Sequence, residues 1–99
     1  MAIRTTTVVT RPNTGIDWYS MNDTYKEYCR KTFHATGKRE LVSVTVSADK
    51  LVKTVVTDYV DSEAKYAFAN DSTMQEYMNE RDLHYITHGV TMKRTAETV

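Results

Sequence analysis

Two of the three histidines, His84 and His88, stand four residues apart in the segment LHYITHGVTMKR, Leu83 to Arg94. Imidazole titrates near neutral pH, so either one could act as a general base or a polar anchor. On a helix that spacing would make them neighbours and half of a zinc site. The segment alternates, however. His84, Ile86, His88, Val90, Met92 and Arg94 fall on one face, and Leu83, Tyr85, Thr87, Gly89, Thr91 and Lys93 on the other. Alternation predicts a strand. At about 3.3 Å per residue the two imidazoles then stand roughly 13 Å apart, too far to share one ion. The expectation is no metal and no assignable catalytic set, with His84 and His88 as the candidates that remain. A hydrogen-bonded sheet histidine is the commoner role for each.

Aromatic residues supply a second kind of chemistry. Trp18, Tyr25, Tyr28, Tyr77 and Tyr85 are candidates for the walls of a pocket that takes a flat ligand. At helical spacing, tyrosines such as Tyr25 and Tyr28 more often pack in a core with their hydroxyls reaching water. Arg39 and Arg81 flank predicted strands and could hold an anion, although surface salt bridging is commoner. His34, near the end of the first predicted helix, suits the C-terminal end of the helix dipole. Cys29 falls in an apolar helix stripe with no neighbouring pattern that would depress its pKa, which marks it as a buried small side chain.

The totals narrow the class of protein that could carry these groups. A chain of 99 residues is one domain, residues 1–99, with material for one modest core. Lys+Arg and Asp+Glu are equal at 13 each. A nucleic-acid binder usually shows a basic excess, so no nucleic-acid partner is expected. One cysteine permits no internal disulfide, and no apolar run reaches bilayer length. With no signal-like start, the reading is a cytoplasmic protein with no membrane partner. Threonine occurs 16 times and valine 11. Both are β-branched and favour pleated surfaces.

Those residues are distributed in recognisable elements. Ala2 to Arg11 predicts a strand with Ile3, Thr5, Thr7 and Val9 on one face, ended by Pro12-Asn13-Thr14-Gly15. Ser20-x-x-Asp23 predicts a helix start. Tyr25, Tyr28, Cys29, Thr32 and Phe33 then form its stripe, and Gly37 closes it. Arg39–Ser47 and Leu51–Val60 predict a strand pair around a short loop, the second apolar on both faces. Asp61-Ser62 caps a second helix. Its buried phase would run through Asp71, so a break is expected there, with a restart at the capping box Ser72-x-x-Gln75. Met74, Tyr77 and Met78 then face the core, and Leu83–Arg94 closes the sheet.

The order strand, helix, strand, strand, helix, strand is the ferredoxin-like βαββαβ arrangement, an α+β fold with a four-stranded antiparallel sheet and two helices on one face. Each predicted strand places some aliphatic or aromatic side chain on both faces. A bare apolar sheet is a liability for a monomer, and face-to-face pairing in a homodimer relieves it. This order and length, with ambivalent strands and a broken second helix, resemble the dimeric α+β-barrel superfamily, which includes the small antibiotic-biosynthesis monooxygenase-like proteins. The resemblance covers nearly the whole chain and rests on architecture.

It implies a barrel formed between two subunits, and a pocket between each sheet and its own helices. Some members are cofactor-independent monooxygenases and others degrade haem. Trp18 lies before the first helix and does not align with the tryptophan of the haem-degrading branch. No family catalytic residue is carried over, and no cofactor is implied. Other ferredoxin-like classes fit less well. A metal carrier would need Cys-x-x-Cys, and LVKTVVTDYV lacks the base-stacking aromatics of an RNA-recognition strand. Two functions follow. One is a dimeric protein binding a small apolar or aromatic ligand between sheet and helices. The other is a non-catalytic dimeric interaction or accessory module, a role that a virus-encoded protein could fill.

Overall fold

Strand and helix signals alternate along the chain, and the computed structural model, which describes residues 1–99, resolves them into one sheet and one helical layer. The strands are β1 (Ile3–Thr10), β2 (Arg39–Val46), β3 (Val52–Tyr59) and β4 (Thr91–Thr98). Helix α1 (Asp23–Cys29) continues into a π-helical turn, Arg30–His34, and is followed after β3 by α2 (Ser62–Asn70) and α3 (Ser72–His88). Every strand pair is antiparallel and the sheet order is β2-β3-β1-β4. β1 is therefore central and pairs along its whole length with both β3 and β4, from Ile3 against Tyr59 and Thr98 to Thr10 against Val52 and Thr91.

The register assigns the faces, because directly opposed residues share one. Thr5, Thr7 and Val9 of β1, Lys53, Val55, Thr57 and Tyr59 of β3, and Met92 and Arg94 of β4 turn toward the helices. In β2 the register slips between Leu41 and Ser43, a bulge that leaves Leu41 and Val44 both opposite helix-facing residues of β3. The other face carries mostly threonine and charge. Arg4 and Asp58, directly opposed there, form a two-pronged ion pair at 2.9 and 3.0 Å.

The last segment differs from the strand expected at Leu83–Arg94. Residues 83–88 complete α3, and the strand begins only at Thr91. Physically, no proline or glycine interrupts Ser72–His88. The Asp71 carboxylate caps its start by accepting from the Met74 amide at 3.0 Å, and Gly89 ends it at φ 70°. Alternation in LHYITH misled because Leu83 and Ile86, counted there as apolar strand positions, are solvent-facing helix residues at 66% and 78% exposure. One consequence is that β4 places no aliphatic residue on the open face, where Thr91, Lys93, Thr95 and Glu97 stand. The open face is thus less apolar than the sequence suggested.

The break in the second helical region occurs at Asp71, as its carboxylate implied, with the cap one residue earlier than Ser72. The second Asp71 oxygen accepts from the Tyr28 hydroxyl, so one carboxylate ties α1 to the start of α3. At the first helix the cap is Asn22, whose side chain accepts from the Tyr25 amide at 2.9 Å, and not Ser20. Helices and sheet enclose a buried core of Cys29, Phe33, Tyr59, Ala64, Phe68 and Met74. Phe33 meets Phe68 edge-on at 5.1 Å, a favourable ring geometry. A smaller cluster of Val9, Tyr85 and Val90 closes the far end.

Candidate functional site

Small side chains at helix-facing positions of the two central strands leave space that the helices do not fill. Thr5 and Thr7 of β1 and Thr57 of β3 sit opposite Ala69 of α2 and the α3 residues Tyr77, Met78, Arg81 and Tyr85. The result is a cavity of about 210 Å³ between the sheet and its own helices. Aromatic rings of Tyr19, Tyr59, Phe68, Tyr77 and Tyr85 form much of its wall. Five cationic side chains also reach it: Arg39, Lys53, Lys65, Arg81 and Arg94. No carboxylate, histidine or cysteine lines it.

Each arginine is held by a different element. Arg39, first residue of β2, lies over the Phe68 ring at 4.5 Å. Its Nε donates to the Tyr59 hydroxyl at 3.3 Å, and its Nη1 to His34 Nε2 at 3.1 Å. A neutral imidazole is needed to accept that bond. Burial, and then the Arg39 charge, lower the His34 pKa accordingly. His34 is thus a half-buried partner of Arg39 and does more than face a helix terminus. Arg81 of α3, with a side chain 13% exposed, donates from Nε and Nη2 to the adjacent Asp82 at 3.1 and 3.0 Å. Arg94 of β4 donates through Nε to Thr7 Oγ1 at 3.2 Å. Arg94 is exposed as a residue, yet crowding around its guanidinium, and then the like charge of Arg81, lower its pKa, with Arg39 adding to the effect.

The tyrosines stay protonated donors. Burial raises the Tyr77 and Tyr85 pKa values, Arg81 partly offsetting the first. Tyr19 is raised by its hydrogen bond to Glu80. The wall therefore offers cations, phenols and hydroxyls, a set suited to binding and orienting a molecule. Cys29 lies outside the wall, and burial pushes its thiol pKa up, so it is not an activated nucleophile.

Of the residues proposed from sequence, the cavity brings together Tyr77 and Tyr85. Trp18 packs instead beneath the Arg11 guanidinium, 4.1 Å from the ring centre, in the Val9–Tyr85–Val90 cluster. Tyr25 donates to Glu80 at 3.2 Å and Tyr28 to Asp71, both away from the cavity. His84 and His88 are helical neighbours with ring centres 4.5 Å apart, so the 13 Å strand separation does not apply. His84 lies against Tyr19 and its Nε2 contacts the Asp17 carbonyl at 3.2 Å, while His88 is exposed. No group of three His, Cys, Asp or Glu side chains is placed to hold a metal ion. Arg39 and Arg81 were singled out from sequence. Arg94, Lys53 and Tyr19 carried no signal, because only the register shows which way a strand residue points.

No protein-family model matches the chain, and no curated protein sequence matches it either. Among solved structures, the chain is similar to a dimeric ferredoxin-like protein from an uncultured marine organism. The TM-score is 0.56 at 9% sequence identity, over 99% of this chain and 94% of the other. The fold is ferredoxin-like. Looser similarity extends to part of a hydantoinase/carbamoylase family amidase from Burkholderia ambifaria. There the TM-score is 0.48 at 12% identity, over 98% of this chain but 28% of that one, too little to carry an argument. No helix is long and apolar enough to cross a membrane.

Proposed function

We propose that this chain is a small cytoplasmic ligand-binding protein of the dimeric α+β-barrel, monooxygenase-like type, a single domain acting as a homodimer. Its ligand is a single-ring aromatic or apolar molecule held between sheet and helices. The observation that carries this reading is the aromatic-walled cavity of about 210 Å³. That is below the roughly 300–1,000 Å³ of pockets for drug-sized ligands, while about 150 Å³ already accepts benzene. The test is calorimetric titration with one-ring compounds, alongside the Ala69→Trp variant, which sets a bulky ring at the cavity rim. Saturable binding lost in that variant is expected. No binding by any ring compound would remove the reading.

The homodimer draws support from the edge strand β2, where Leu41, Val42, Val44 and Val46 are left exposed beyond the helices with no charge between them. An uncharged apolar edge is a ready surface for a second copy. The description of the marine neighbour as dimeric points the same way. The same strand favours the second reading, a non-catalytic interaction module, should the cavity take no ligand. Sedimentation at micromolar concentration checks the dimer, and a species of 11.4 kDa would refute it.

A further inference from the structure

The cations of the cavity are out of balance with their surroundings. The chain forms four salt bridges, and only one includes a cavity residue, Arg81 with Asp82. Arg39 and Arg94 have no carboxylate partner, and neither do Lys53 and Lys65. Each of the three arginines also keeps a terminal nitrogen without a hydrogen bond inside the chain. These are Nη2 of Arg39, Nη1 of Arg81 and both Nη atoms of Arg94. Arg39, Arg81, Lys53 and Lys65 are half-buried while Arg94 stays exposed along part of its length, and even partly desolvated cations are costly unless an anion and hydrogen-bond acceptors meet them. Here like charges are gathered instead, from β2, α3 and β4.

We infer that the ligand of this cavity is an organic anion, a one-ring carboxylate whose carboxylate is received by Arg39, Arg81 and Arg94. This rests on the ligand-binding reading above and names its chemical class. The guanidinium fork matches a planar carboxylate in a way a lysine does not. The aromatic wall of Tyr77, Tyr85 and Phe68 receives the ring, and the phenols add donors. A cavity of about 210 Å³ has room for one ring and its carboxylate but is small for a larger conjugate. Arginine cavities of this kind trade stability for binding, since the ligand removes a repulsion that the empty protein must bear.

The experiment uses the full chain and three probes, benzoate, benzamide and inorganic phosphate, in calorimetric titration and thermal melting. Benzoate is expected to bind and raise the melting temperature, with benzamide weaker by about tenfold to a hundredfold, the span of one lost charged hydrogen bond. Arg94→Gln is expected to weaken benzoate to a similar degree while leaving the ligand-free melting temperature unchanged or higher. A residue with only a structural role would lower it. Arg81→Gln serves as the second variant should the first not fold. Equal binding of benzoate and benzamide would overturn the anion inference and leave the cavity reading standing. Binding of phosphate without benzoate would overturn the carboxylate, and no binding by benzoate or benzamide would overturn both readings.

Discussion

The same sheet and the same helices enclose two regions built on opposite terms. At one end Cys29, Phe33, Ala64, Phe68 and Met74 are buried against one another, and Met74 has no exposed surface at all. Beside it, threonines of β1 and β3 and five cations surround a cavity of about 210 Å³. Phe68 and Tyr59 belong to both, with Arg39 stacked on their rings at the seam. The difference teaches that side-chain volume alone separates a packed region from a hollow one within one layer. Rings stand in both, but only the hollow region has small threonines of β1 and β3 beneath them.

That division can be broken most sharply in the packed half. Phe33→Ala should cost about 3–5 kcal/mol by denaturant unfolding, because the space it leaves cannot collapse. A loss below about 1 kcal/mol would mean that the two regions do not differ in packing. Next in size is Asp71→Ala, which removes a helix cap and the acceptor of the Tyr28 hydroxyl together. A loss of about 1–3 kcal/mol is expected, combining a cap and a part-buried hydrogen bond. Asp71→Asn should restore much of it in the same assay.

The seam itself should respond to pH. The His34 pKa is lowered in the folded protein, so the unfolded chain binds more protons below about pH 6.5. Stability from this group is therefore full above about pH 6.5 and is lost as pH falls through the lowered folded value. Thermal melts from pH 8 to 5 on the parent and His34→Gln should differ in slope over that window and converge in slope elsewhere. Parallel curves would detach His34 from the Arg39 contact. The smallest effect belongs to the hollow half. Met92→Ala, at a partly open wall, should cost well under the Phe33 change in the same unfolding assay, about 1–2 kcal/mol.

The element order was legible because β-branched threonine and valine crowd β1, β2 and β3, with clear alternation in β2, and because Asp71 interrupts an apolar stripe. Residues 83–88 were not, since a six-residue alternation also fits the last turns of a helix whose apolar residues face water. What decides it is the uninterrupted run from the Asp71 cap to Gly89, a longer-range signal than the local period. For the cavity, Tyr77, Tyr85, Arg39 and Arg81 could be named in advance as residue types. Their convergence could not. The hollow arises from what Thr5, Thr7, Thr57 and Ala69 fail to fill, and a missing volume leaves no pattern in a sequence. The bulge in β2 and the inward turn of Arg94 likewise depend on pairing with strands far along the chain.

The position of β1 carries a last consequence, for the order of assembly. This strand is the first of the chain, yet its two neighbours are the third and the last. No hairpin can form it locally, and both of its edges must wait for residues 52–59 and 91–98. Such distant pairings make the search for the native sheet slow, because long loops close before their contacts are rewarded. The hairpin of β2 and β3, joined by a short turn, is the piece able to form early. Until β4 docks, the Arg94 guanidinium has no place beside Thr7, so the cavity wall cannot be complete before the two ends of the chain have paired.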